Sequence, residues 1–142
     1  MEITVETLVK AKLNTVWGVW SNPEDIKQWS AASDDWHTTR SAVDLREGGT
    51  FSSRMEAKDG SEGFDFEGTY TRIVPRKIIE YRLGDGRNVK VQFTEVADGV
   101  LVKETFDAES ENDRELQRQG WQAILDNFAR HVGAKDIAGT AG

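Results

Sequence analysis

Between Trp36 and Phe106 the chain cannot run far without reversing. Turn-forming groups recur at Glu47-Gly48-Gly49, Lys58-Asp59-Gly60, Val74-Pro75-Arg76, Gly84-Asp85-Gly86 and Ala97-Asp98-Gly99. Glycine supplies left-handed backbone, proline presets φ, and aspartate bonds its own nearby backbone, so each group favours a chain reversal. The segments left between them are short and rich in strand formers, at about 37–46, 50–57, 64–74, 77–83, 88–96 and 100–107. Short strands joined by tight turns pair with their sequence neighbours, which predicts an antiparallel meander. Val89, Val91 and Phe93 alternate with Lys90, Gln92 and Thr94. One face of the sheet is therefore wet and the other covered.

The flanks supply the cover. Residues 2–10 alternate in the same way, with Ile3, Val5, Thr7 and Val9 on one side, and read as a first strand. Leu13, Val16, Trp17 and Trp20 follow at helical spacing. That short helix stops at Ser21-Asn22-Pro23, where Asn22 can cap a second helix, with Pro23 at its first position and Asp25 three residues after the cap. Ile26 and Trp29 form its buried side. At the other end, Asn112 and Glu115 read as a capping box opening a helix over 111–132. Leu116, Gly120, Trp121, Ile124, Leu125, Phe128 and Val132 make its apolar stripe.

Length and composition bound the answer further. The chain has 142 residues and no linker-like stretch, which predicts a single domain over 1–133 with a flexible tail over 134–142. It has no cysteine, so disulfides, thiolate metal sites and a cysteine nucleophile are excluded. A net charge of −7 argues against nucleic acid and anionic membranes as partners. No apolar run approaches the ~20 residues of a bilayer span, and the N-terminal residues lack the pattern of a signal peptide. A cytoplasmic location is expected.

Three segments carry a family resemblance. Val16-Trp17-Gly18-Val19-Trp20-Ser21-Asn22-Pro23-Glu24 with Trp29, then Phe66-Glu67-Gly68-Thr69-Tyr70-Thr71-Arg72-Ile73-Val74-Pro75, then Gly120-Trp121-Gln122-Ala123-Ile124-Leu125-Asp126-Asn127-Phe128, occur in that order. They resemble motifs of the START-like (SRPBCC) superfamily, in the branch named after the activator of heat-shock protein 90 ATPase. The resemblance covers about residues 2–132. It implies an α+β helix-grip (START-like, Bet v-type) fold, in which a curved antiparallel sheet grips a long C-terminal helix and two short helices follow the first strand. It also implies a cavity between sheet and helix. The chaperone activator carries a separate N-terminal domain that supplies much of its chaperone contact. With room for one domain, contact with the chaperone is open but not expected. A fold that hosts carriers, cyclases and chaperone activators does not fix function.

The residues that would line such a cavity are mostly aromatic. Trp29, Trp36, Phe51, Met55, Phe64, Phe66, Tyr70, Tyr81, Phe93, Trp121, Leu125 and Phe128 are the apolar candidates, with His37 and Glu104 as polar ones. They serve either as walls for a flat or hydrophobic ligand or as plain core filling. On the last strand Val100, Val102, Glu104 and Phe106 share a face. If that face is the concave one, Glu104 must be paired, hydrogen-bonded or protonated. Asp34 and Asp35 near His37 make a poor metal site, because adjacent carboxylates in extended chain point apart.

The reading is a binding protein for a small hydrophobic or aromatic molecule, with no cofactor, as a monomer or weak homodimer. One alternative is a polyketide-cyclase-like or hydrolase-like enzyme using His37, Glu104 or a tyrosine as acid–base. Another is a co-chaperone-like interaction module.

Overall fold

The computed structural model describes the backbone of residues 2–141 and side chains as far as Lys135. The elements are β1 (Glu2–Val9), α1 (Leu13–Ser21), α2 (Pro23–Trp29), β2 (Trp36–Val43), β3 (Thr50–Ala57), β4 (Gly63–Val74), β5 (Ile78–Leu83), β6 (Asn88–Val96), β7 (Gly99–Asp107) and α3 (Arg114–Ala141). Seven strands form one antiparallel sheet in the order β1-β7-β6-β5-β4-β3-β2. From β2 to β7 every connection is between neighbours. The exception is β1 to β2, where α1 and α2 carry the chain from one edge of the sheet to the other.

The turns work as their residues dictate. At Val74-Pro75-Arg76-Lys77 the Lys77 N–H donates to the Val74 carbonyl at 2.9 Å, with Arg76 at φ 63°. Proline second and a left-handed residue third is the pattern of a type II turn. Gly68, in the middle of β4, is required for a different reason. A Cβ there would stand 2.5 Å from the Arg82 carbonyl oxygen and about 3.0 Å from the Phe51 ring. The missing side chain lets Phe51 lie over β4.

Alternation sorts each strand. On β7, Val100, Val102, Glu104 and Phe106 are all buried on the concave face. They pair across with Val9, Thr7, Val5 and Ile3 of β1. The β6 partners Phe93, Val91 and Val89 lie on the same face. This layer, with Ile79, Tyr81 and Leu83 of β5, is closed by Leu125, Phe128 and Val132 of α3, each fully buried. Burial of a side chain of that size contributes roughly 1.5–3 kcal/mol.

The helix boundaries depart from expectation in three ways. The α3 cap is Asp113, not Asn112. Asp113 Oδ2 accepts from the Glu115 and Leu116 N–H groups at 3.1 and 3.4 Å, while Asn112 turns its amide to Glu109. Leu116 is then on the outer side of the first turn, 59% exposed, and does not belong to the buried stripe. Helical backbone continues past Val132 to Ala141. Gly142, the last residue of the expected tail, lies outside the described residues.

At the start of α2, Asn22 does cap, accepting from the Glu24 N–H at 2.9 Å with Pro23 first in the helix. Asp25 turns inward instead of back to the cap. It is 4% exposed and meets α3 through His131 Nε2 at 2.9 Å and Lys135 Nζ at 2.8 Å. Burial alone would raise the Asp25 pKa, but the hydrogen bonds from Lys135 and His131 outweigh it and hold the carboxyl below its ordinary value.

Candidate functional site

A semi-open cavity of about 330 Å³ lies between the sheet and α3. Four parts of the chain build its walls. The sheet contributes Met55 of β3, Phe64 and Phe66 of β4, Tyr81 of β5 and Glu104 of β7. Helix α3 contributes Gln117, Trp121, Ile124 and Leu125, which fall on one side of the helix by their three- and four-residue spacing. The short helices and their exit contribute Trp20, Trp29 and Ser30, and the loops add Arg87 and Glu109. Phe64, 47% exposed, edges the open side.

Aromatic contacts fix most of the wall. Trp121 stacks on Phe106 at 3.9 Å with the planes 10° apart, and meets Phe66 edge-on at 6.3 Å. Trp20 and Trp29 lie 5.1 Å apart, and each takes the edge of Phe128, at 5.0 and 4.9 Å. Ring pairs at these separations each contribute about 0.5–1.5 kcal/mol beyond the area they bury. A side chamber of about 70 Å³ shares Trp20, Trp29, Ser30, Phe66 and Tyr81 with the main cavity and adds Phe51 and Tyr70.

The polar groups on the wall differ in what they already hold. Gln117 donates to the Glu109 and Asn112 carbonyls at 3.2 and 2.8 Å and accepts from the Glu109 N–H at 2.9 Å, so its amide ties the β7–α3 loop to the helix. Arg87 is paired with Asp85 at 2.7 Å. Glu104 is 5% exposed and has no hydrogen-bond or ion-pair partner among the described residues. Desolvation by burial pushes its pKa up to about 8, so it is mostly protonated at neutral pH. Burial first, and the neighbouring Glu104 carboxyl second, hold the Tyr81 phenol well above its ordinary value. The Trp29 indole N–H is also buried without a partner.

Of the residues expected on the wall, Trp29, Met55, Phe64, Phe66, Tyr81, Glu104, Trp121 and Leu125 are brought together in the main cavity, and Phe51 and Tyr70 in the side chamber. The rest lie elsewhere. His37 sits opposite Glu56 on β2, one residue out of phase with buried Thr38, so its side chain is on the other face of the sheet. Trp36 is at the strand's first position and packs against Phe64 at 5.8 Å, outside the cavity lining. Phe93 is covered by Trp17 and Trp20 of α1, at 5.2 and 5.8 Å. Phe128 is one turn beyond Leu125 and fully buried between Trp20 and Trp29. Sequence reasoning left Trp20, Ile124 and Gln117 off the wall. The spacing of Gln117, Trp121 and Ile124 on one helix side was the signal available for the last two.

Comparison with known proteins agrees with the geometry. A sequence profile described as "Activator of Hsp90 ATPase homolog 1-like protein" matches residues 10–133. An AHSA1-like protein from Aeromonas hydrophila, solved by NMR in solution, is 48% identical, with 95% of this chain and 94% of that chain covered and a TM-score of 0.90. A protein from Cytophaga hutchinsonii is 45% identical over 94% of this chain and 93% of that chain, with a TM-score of 0.82. A protein from Chromobacterium violaceum shares only 19% identity yet has a TM-score of 0.83 over 94% of this chain and 98% of its own, a likeness of fold alone. No protein of curated function matches. The profile spans most of the chain and the sheet grips α3 as that fold requires: the chain belongs to the activator of Hsp90 ATPase homolog 1-like family.

Proposed function

We propose that the protein binds one small, largely apolar molecule, flat enough to lie among aromatic rings, in the cavity between the sheet and α3. The observation that carries this reading is the wall itself. Trp20, Trp29, Phe64, Phe66, Tyr81 and Trp121 surround about 330 Å³ of space that the core leaves unfilled, with the unpartnered Glu104 among them. Binding pockets are typically of this size and kind, apolar with a few placed polar groups, whereas a core serving only stability closes to a density that leaves few voids larger than a water molecule.

The reading is of a binding protein acting in the cytoplasm, with residues 1–133 as the binding unit. No helix among the described residues is long and apolar enough to cross a membrane. Native mass spectrometry of the protein purified without organic additives tests the reading. A single adduct of small-molecule mass, lost on gentle activation, is expected. A bare mass that remains unchanged after incubation with cell extract contradicts it.

A further inference from the structure

We infer that the molecule this cavity accepts is a cation, an aromatic or alkyl amine or a quaternary ammonium compound, with its charged group against Glu104 and its apolar body among the aromatic walls. The inference rests on the reading of the cavity as a ligand site and adds the charge of the ligand to it.

The argument starts from what Glu104 lacks. It lies between Val102 and Phe106 along β7, opposite Val5 on one neighbouring strand and Val91 on the other. None of these can donate a side-chain hydrogen bond or offer a positive charge. A carboxyl buried without a partner costs stability, and a hydrocarbon side chain at this position would pack without that cost. A residue that harms the empty fold in this way is expected where a ligand completes it.

The other charged groups of the wall narrow the choice. Among the described residues Arg87 is the only basic one in the lining, and it is paired with Asp85 at 2.7 Å. Glu109 adds a second carboxylate at the loop, and Gln117 is committed to backbone groups. The groups sharing the cavity with Glu104 are thus Tyr81 from β5, Arg87 with its Asp85 from the β5–β6 turn, Glu109 from the β7–α3 loop and Gln117 from α3. An anionic ligand would meet two carboxyl groups and no uncommitted cation. A neutral ligand could accept a hydrogen bond from protonated Glu104 but would leave the ionised form without a counter-charge. An ammonium group supplies the missing charge. The faces of Trp and Tyr rings carry negative potential and favour a cation within about 6 Å. The chain's net charge of −7 draws cations toward it at longer range.

Three benzyl compounds test this: benzyltrimethylammonium, its uncharged carbon isostere neopentylbenzene, and phenylacetate as a smaller anion. Each is titrated against the whole chain, followed by tryptophan fluorescence and calorimetry. The ammonium compound is expected to bind about tenfold or more tighter than the isostere, with phenylacetate weakest. Its charge is fixed at every pH, so its affinity should rise as pH is taken from about 6 to 9 and Glu104 ionises, with proton release on binding near neutrality. Glu104→Gln should erase the preference for the ammonium compound and its pH dependence while the isostere still binds. The pH series on the unaltered protein stands independently of how well that variant folds. Equal binding of isostere and ammonium compound, unchanged by pH, overturns the cation and leaves the cavity reading standing. Binding by none of the three overturns both.

Discussion

Trp121 of α3 lies flat on Phe106 of β7, centroids 3.9 Å apart, two residues along the strand from Glu104. This stack holds the middle of the long helix to the sheet, and the ring's remaining surface is wall for the cavity. The same contact therefore belongs to both the fold and the site. Trp121 is only partly buried, whereas Phe128, about two turns further on, is fully buried. Trp121→Ala should cost about 2–3 kcal/mol, below the 3–5 kcal/mol range for a fully buried aromatic, and Phe128→Ala should fall within that range. Urea melts of the two variants check the order. Equal losses would mean that the Trp121 ring is as enclosed as Phe128.

Glu104 gives the protein a pH signature. Its carboxyl titrates near 8 when folded, against 4.5 for the unperturbed group. Between those values the folded state holds a proton that the unfolded state has released, so stability falls as pH rises and levels off above the folded value. Glu104→Gln removes the titration. The variant should be more stable than the parent at neutral pH, with a gap that opens above about pH 5 and reaches on the order of 2–4 kcal/mol by pH 8. Denaturant melts across that range that run parallel for the two proteins would contradict the buried acid.

Asp25 works with the opposite sign. Burial alone would raise its pKa, but Lys135 and His131 together hold it below the ordinary aspartate value. The stability it contributes is present above the unfolded value and is lost as pH falls through the folded one. Asp25→Ala should cost about 1–3 kcal/mol at neutral pH, discounted because Lys135 is half exposed, and the difference from the parent should shrink as the pH falls below the ordinary aspartate range. A constant difference down to acid pH would show that packing, not charge, joins α2 to α3.

At Gly68 the close approach of the Arg82 carbonyl and Phe51 leaves no room for a methyl group. Gly68→Ala should destabilise by roughly 1–3 kcal/mol and loosen the Phe51 wall of the side chamber. A melt within about 0.5 kcal/mol of the parent would show that β4 can shift to accept it.

Most of the fold was legible in the sequence because its signals are local. Turn residues set the strand ends, and β3 over 50–57 and β6 over 88–96 fall where the turns put them. The facing of Glu104 was legible because β7 pairs with both neighbours without a break, so alternation carries straight through it. Where the register slips, at Thr38/Arg40 and Tyr70/Arg72, alternation across the break says nothing. The site was only half legible for a different reason. Trp20 reaches the cavity because of how α1 lies against the sheet, which no local pattern encodes. Helical spacing could not tell Asn112 from Asp113 as the cap, and Leu116, off the side shared by Gln117, Trp121 and Ile124, faces solvent.

Mapping ligand-induced shifts of backbone amide signals by NMR tests the central claim, that the space between sheet and α3 is a binding site, most directly. With benzyltrimethylammonium and its neutral isostere as probes, the account predicts saturable shifts concentrated at Met55, Phe66, Tyr81, Glu104, Trp121 and Leu125, with the outer face around Arg40, Ser52 and Lys90 unmoved. Shifts confined to that outer face, or no saturable shifts with either probe, would contradict it.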